Sequence, residues 1–388
     1  MRIAGIICEY NPFHNGHKYL IEQAKNDGCA VVAVMSGNYT QRGELAFADK
    51  YTRAEIAVKC GADLVLELPF PFAMSSAEFF AKGAVSVLEK IGAQGIYFGS
   101  ESGDVELIKR AALVASSPEF LAERERQGHG EGSAKAYFDL LTEMLGEKTE
   151  LLSNDILGIE YIKEINRRGL NIEPCAVRRV GDGYRAEEIS SDFASATAIR
   201  NKIFAGELGE ALNYTPKEAR GALLHAVENR EAPVDIRKIE SAVLAFWRLA
   251  SPASLSHIAE LGNGLEYRIR EAALASTSLD ELEGAVATKQ YTDAKIRRAV
   301  LFGILGVTKA NLDEEPEYTS VLAANSIGRE ILSSVRKKEG GVAVVTKCAD
   351  TPEGWQKELS DRADSLYTLA MPSARPSGNL AKKKIYIE

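Results

Sequence analysis

The chain has 388 residues, 45% hydrophobic and 26% charged; it has the composition of an ordinary globular protein, and at ~150 residues per domain the length suits two domains or three. No apolar run approaches the ~20 residues of a bilayer span, and Met1 leads directly into a strand-like segment, so neither a membrane helix nor a signal peptide is expected. Five scattered cysteines and a charge of -8, from 47 basic and 55 acidic residues, argue against a disulfide scaffold and a nonspecific nucleic-acid coat; they fit a reducing cytoplasm and do not exclude RNA binding by a local basic patch.

Residues 3–8, 30–35, 63–68 and 95–98 are short runs rich in Val, Ile and Leu and read as buried strands. Between them, 16–26, 49–60 and 76–91 carry apolar residues three and four apart, which predicts helices. The alternation gives an α/β protein with a Rossmann-like, doubly wound parallel sheet, whose post-strand loops gather at one edge. Helices are then predicted at 105–115, 133–145 and 154–168, a fifth strand at 174–180, and a helix opening at Ser195. Beyond about residue 210 the periodicity is almost wholly helical (241–249, 266–275, 293–305, 353–367), with one short strand candidate at 342–345. The reading is therefore an α/β domain over 1–210 and a mainly helical domain over 211–388.

The most informative stretch follows the first strand: Cys8, Glu9, Tyr10, Asn11, Pro12, Phe13, His14, Asn15, Gly16, His17. Two histidines three apart bracket a glycine where a loop turns into a helix, so both imidazoles can share one side of its first turn. The bare glycine lets a phosphate approach the helix N-terminal amides, where the macrodipole favours negative charge. His14 and His17 can donate hydrogen bonds that strengthen as charge builds on an α-phosphate and departing pyrophosphate, which makes them the candidate catalytic pair.

The strand followed by N-P-x-H-x-G-H resembles the nucleotidylyltransferase superfamily. Ser36-Gly37-Asn38-Tyr39-Thr40-Gln41-Arg42-Gly43-Glu44, then Asp49-Lys50-Tyr51-Thr52-Arg53-Ala54, Gly61-Ala62-Asp63-Leu64-Val65-Leu66-Glu67-Leu68-Pro69 and Phe98-Gly99-Ser100-Glu101 are similar to the bacterial tRNA(Met) cytidine acetate ligase family. The likeness is dense over residues 1–205 and thinner beyond; Leu45 stands where that family's pattern has proline. It implies an enzyme that activates acetate with ATP as acetyl-adenylate, then transfers acetyl to the wobble cytidine of elongator tRNA(Met), giving N4-acetylcytidine. By resemblance the ATP loop runs from Ile7 through His17 to Lys18, Tyr19 and Leu20, with further contacts at Gly99, Asn154 and Arg179.

Gly99 after a strand leaves room for adenine or ribose, or is a turn glycine; Asn154 at a helix start caps it or contacts nucleotide. Arg178 or Arg179 can clamp a phosphate at the same edge, or both are solvated. Ser195-Ala196-Thr197-Ala198-Ile199-Arg200 resembles the S-x-T-x-I-R segment of small adenylyltransferases, so Ser195, Thr197 and Arg200 are candidates for the β- and γ-phosphates.

For RNA, phosphate contacts require clustered cations. Gln41, Arg42, Lys50 and Arg53, together with Asp49, form one candidate group, for holding tRNA or acetate. A second, Lys289, Tyr291, Lys295, Arg297 and Arg298, resembles a family segment in which the tyrosine can stack on a base. No metal-ligand signature is present, and Mg2+ is expected only as the companion of ATP. Two alternatives stay open: a small-molecule adenylyltransferase of coenzyme or NAD synthesis, and a noncatalytic RNA-binding protein with a degenerate nucleotide site.

Overall fold

Strands that are apolar along their whole length bury both faces, and that property organises the chain. The computed structural model describes residues 1–126, 134–146, 151–179, 194–288, 290–335 and 340–388. Strand β1 (Arg2–Cys8) leads through α1 (Asn15–Asn26) to β2 (Cys29–Ser36), then α2 (Lys50–Lys59), β3 (Leu64–Leu68), α3 (Ala77–Ile91) and β4 (Gly95–Ser100). Helices α4 (Val105–Ala115), α5 (Pro118–Arg126), α6 (Ala134–Leu145) and α7 (Ser153–Arg167) precede β5 (Glu173–Arg178) and α8 (Ala196–Phe204). Val180, expected to end the fifth strand, lies outside the described residues. The chain continues through α9 (Leu208–Ala211), α10 (Lys217–Glu228), α11 (Glu240–Leu249), α12 (Leu265–Ala275), α13 (Leu279–Val286), α14 (Asp293–Leu305) and α15 (Lys309–Asp313). It closes with β6 (Tyr318–Ala324), α16 (Ser326–Val335), β7 (Ala343–Val345), α17 (Trp355–Leu369) and β8 (Tyr386–Ile387).

The strand order is β5-β4-β1-β2-β3-β6-β7, with β8 paired to β6. Strands β1 to β5 are mutually parallel, as the alternating pattern predicts. The chain moves outward from β1 to β2 and β3, then returns to the other side for β4 and β5. Loops leaving β1 and β4 therefore diverge and open a crevice between them, the place where doubly wound sheets bind ligands.

Two features depart from the sequence reading. Strand β6 pairs antiparallel with β3, so the sheet is mixed at one edge. Residues 211–388 also extend the sheet that 1–210 begin, as well as supplying helices. The cause of the difference is burial: six of the seven residues of β6 are buried, which erases the two-residue alternation, and its Leu and Ala suit a helix equally well.

Asp63 ties the two halves together. Its buried carboxylate accepts from Lys25, from the Val31 amide at 2.7 Å and from Asn325 at 2.9 Å, while its carbonyl accepts the Asn325 amide. Gly328, in the first turns of α16, sits so close that a Cβ would lie 2.1 Å from the Asp63 carbonyl oxygen. Backbone cannot yield as a flexible side chain can. Gly328→Ala is thus expected to lower stability by roughly 1–3 kcal/mol, the cost of overpacking, read as a shift in the urea midpoint of the whole chain in one transition.

Candidate active site

The connection from β1 to α1 is built on a strained turn. Tyr10 has φ 48, a left-handed conformation that costs a non-glycine residue roughly 1–2 kcal/mol. It is held there because the Tyr10 ring is buried, 4.6 Å from the Phe13 ring and 4.9 Å from that of His17. Beneath the turn lies Arg53, 1% exposed. Its guanidinium donates to the carbonyls of Ala48 (2.9 Å), Glu9, Ser36 (3.1 Å) and Gly37. One cation thus fixes the ends of β1 and β2 and the approach to α2.

His14 is the N-cap of α1, and its Nδ1 accepts the Gly16 amide hydrogen at 3.1 Å. His17 Nδ1 accepts the His14 amide hydrogen at 3.3 Å. Because both Nδ1 atoms accept, the neutral rings carry their protons on Nε2, which leaves two donors. The rings stack with centroids 3.6 Å apart. Burial, and then the charge of Arg179, lowers the His14 pKa to about 3; burial, then His14 and Arg179, holds His17 well below its usual range. Neutral donors with fixed tautomers result.

These donors face a cavity of about 400 Å³ at the crevice between β1 and β4. Ile7, Cys8, Glu9, Tyr10, Asn11, His14, Gly16, His17, Tyr19 and Leu20 line it, and so do Gly99, Asn154, Arg178, Arg179, Ser195, Thr197 and Arg200. Pro12, Phe13, Asn15 and Lys18 do not. Phe13 packs inside against Tyr10 and His17, and Lys18 pairs with Glu218 at 2.8 Å. The Arg179 side chain crosses Gly99, where a Cβ would meet its Cγ at 3.3 Å; that of Arg178 packs on Gly103 instead. Arg179 is therefore the arginine whose field reaches both imidazoles.

Helix α8 begins at this cavity. Ser195 caps it, accepting the Ala198 amide hydrogen at 3.1 Å, and Arg200 donates to the Asn11 carbonyl at 2.7 Å. Asn154 is held by Glu101, which accepts from its amide and its side chain.

The RNA candidates divide. Gln41 and Arg42 line the nucleotide-sized cavity. Lys50 and Arg53 do not face outward, which corrects their reading as RNA contacts. Lys50 is buried against Glu67 (2.8 Å) and Asp364 (3.1 Å), and Arg53 is the strut just described. Tyr291 is buried among apolar side chains, so its ring is not presented to a base. Lys289 lies outside the described residues. Arg298 and Lys295 flank Glu260, at 2.5 and 3.9 Å.

Arg297, expected on an RNA surface, lines the cavity instead. It reaches there because Gly43, at φ +74, rests on α14: a Cβ at that position would lie 2.6 Å from the Arg298 amide nitrogen. Arg297 bonds Glu44 at 2.9 Å, and Arg200 bonds the same carboxylate at 3.3 Å. Glu44 and Tyr161 also line the cavity; Glu44 stands in the family-like segment 36–44 but is not singled out by it, and Tyr161 carries no local signal, since it reaches the site from a separate helix. Leu45, in the position where the family pattern has proline, is buried and bridges to Tyr39.

A second cavity, of about 480 Å³, lies between α3, α6 and α7 on one side and α14 and α15 on the other. The two share walls: Phe79, Ile156, Glu160 and Arg298 face this cleft, while their neighbours Phe80, Leu157, Tyr161 and Arg297 face the first.

A model of the HIGH nucleotidyl transferase family matches residues 1–381. The tRNA(Met) cytidine acetate ligase of Thermoanaerobacter sp. (strain X514) is 36% identical, over 97% of this chain and 98% of that protein; the one from Acetivibrio thermocellus is 34% identical over the full length of both. The crystal structure of Thermotoga maritima TmcAL without ligand is similar with TM-score 0.91 at 32% identity, covering 100% of this chain and 99% of the other. The same protein bound with alpha-thio ATP gives 0.89 at 32% identity, each chain covered in full.

Two outcomes are expected. Removing the buried guanidinium in Arg53→Met leaves several carbonyls without donors and costs about 3 kcal/mol or more, measured by urea unfolding, whereas tRNA affinity per folded molecule stays near wild type. The second concerns acid. Below an unfolded-state pKa near 6.5 the unfolded chain takes up a proton that folded His14 refuses until about pH 3, so stability falls as pH drops through that interval. His14→Asn, which keeps a cap-competent side chain, should make that decline shallower by about 1 kcal/mol per pH unit, seen in unfolding curves at a series of pH values.

Proposed function

The chain belongs to the HIGH nucleotidyl transferases and, within them, to the tRNA(Met) cytidine acetate ligases, and from that premise we propose how its cavity carries out the reaction. The enzyme is an ATP-dependent ligase that modifies a cytidine of tRNA(Met). Acetate is the acyl donor in this proposal: its oxygen attacks the α-phosphate in line, and acetyl-adenylate and pyrophosphate form. The observation that carries the reading is the pair of neutral Nε2 donors on stacked imidazoles beside the Gly16 amide.

Neutral donors suit this step. They need no proton transfer, and their hydrogen bonds strengthen as negative charge gathers on the α-phosphate and leaving group. Arg179 adds positive charge beside them. Ser195, Thr197 and Arg200, at the start of α8, are assigned to the β- and γ-phosphates, where backbone amides and the macrodipole favour anions. Mg2+ is proposed to arrive on the triphosphate and to neutralise charge on the departing pyrophosphate.

The RNA approach is proposed through the second cleft. It sets Arg124, Lys163, Lys295, Arg298 and Lys309 around Phe79, Tyr137 and Phe138, a combination suited to single-stranded nucleotides. In this proposal an unstacked cytidine enters across the wall that the two cavities share, one side chain away from the adenylate. Residues 211–388 supply one bank of that cleft through α14 and α15. This is the role proposed for them.

Acetate-dependent exchange of labelled pyrophosphate into ATP tests the first half-reaction, and mass spectrometry of tRNA(Met) for an acetylated cytidine tests the second. His17→Asn should lower exchange by about 10²–10³, the loss typical of one transition-state donor. Lys163→Glu with Lys309→Glu should raise the KM for tRNA and reduce the salt dependence of binding by about one unit of slope per lysine. Unmodified tRNA with enzyme that is active in exchange would contradict the reading.

A further inference from the structure

Acylating an amine requires that a proton leave the nitrogen, and the donors placed above supply none of that capacity. We propose that Glu9 is the catalytic base of the transfer step, accepting the proton that the cytidine N4 amine loses as it attacks the acetyl carbonyl. The proposal rests on the ligase reading. In that step an N–C bond forms, the C–O bond to the adenylate breaks, AMP leaves with the electron pair, and the amine proton passes to the Glu9 carboxylate.

Geometry favours Glu9 over the other groups on the cavity. Its backbone carbonyl is fixed by Arg53, and its Oε1 accepts the Gln41 amide hydrogen at 2.8 Å. Among the described residues none donates to Oε2, on a side chain that lines the cavity. The other cavity carboxylate, Glu44, is shared by Arg200 and Arg297. Both histidines use Nδ1 for backbone amides. Burial drives the Cys8, Tyr10 and Tyr161 protons to stay in place.

The surroundings of Glu9 strengthen it as a base. Burial raises its pKa above the ordinary carboxylate value, against the Gln41 hydrogen bond; Glu44 raises it further, and Arg200 and Arg42 lower it. A carboxylate whose pKa is raised by burial is a stronger proton acceptor than one in water. The charged and titratable groups that face it are Cys8, Arg42, Glu44, Arg53, Tyr161 and Arg200.

The test separates the two half-reactions in the full-length enzyme. Glu9→Gln and Glu9→Asp are assayed for acetate-dependent pyrophosphate exchange, and for single-turnover transfer from supplied acetyl-adenylate to tRNA(Met). The expected result for Glu9→Gln is a transfer rate lower by about 10²–10⁴ with exchange reduced far less, and absence of the acidic limb expected in the pH profile of wild-type transfer. Glu9→Asp should recover part of the transfer. Residual exchange certifies that the variant is folded. An equal fall in both half-reactions, or transfer that is undiminished in Glu9→Gln, would overturn the assignment. Wild-type enzyme that transfers from supplied adenylate yet shows no acetate-dependent exchange would instead overturn acetate as donor, and leave Glu9 to be judged on transfer alone.

Discussion

A single buried guanidinium holds the site in shape. Arg53 donates to carbonyls from the segments after β1 and β2 and from the start of α2, groups that end parallel strands and would otherwise be left without donors. Ends of parallel strands expose carbonyls by construction, and a buried unpaired carbonyl costs about 1–3 kcal/mol. By meeting several at once, Arg53 turns an electrostatic liability into a rigid platform. The left-handed Tyr10 turn, the Glu9 carbonyl and the histidine pair all stand on it.

That rigidity sets the protonation state of the chemistry. The cap on α1 uses His14 Nδ1, and the His14 amide uses His17 Nδ1, so the same hydrogen bonds that begin a helix also decide which ring nitrogens remain as donors. Burial next to Arg179 keeps the rings neutral. In the proposed reaction they act by positioning, since two preorganised donors need no reorganisation when charge develops. The helical half contributes equally to the walls: Gly43 lets α14 approach closely enough for Arg297 to enter the nucleotide cavity while Arg298 faces the neighbouring cleft. One helix thereby borders both cavities.

Much of this was legible in the chain. Strands β1 to β5 declared themselves as apolar runs between helical periods, and the His14-Asn15-Gly16-His17 turn fell where strand order predicts a ligand crevice. Strand β6 escaped because burial on both faces removes alternation and its Leu and Ala are equally at home in helices. Lys50 and Arg53 were misread for another reason. A cation on a helix looks solvated unless its partners are known, and Lys50 finds Asp364 at a separation of 314 residues. Arg297 meets Glu44 across 253 residues, so its place in the cavity between β1 and β4 has no local signature. Tyr291 looked like a stacking ring beside cations, but the apolar face of the helical half claims it.

The central claim is that the turn after β1 grips the α-phosphate through neutral imidazoles. The most direct measurement is a crystal structure with a sulfamoyl analogue of acetyl-adenylate. The account predicts the sulfamoyl oxygens within hydrogen-bond distance of the Nε2 atoms of His14 and His17, with the acetyl group turned toward Glu9. An analogue bound with its sulfamoyl group away from both rings, or outside the crevice between β1 and β4, would contradict it.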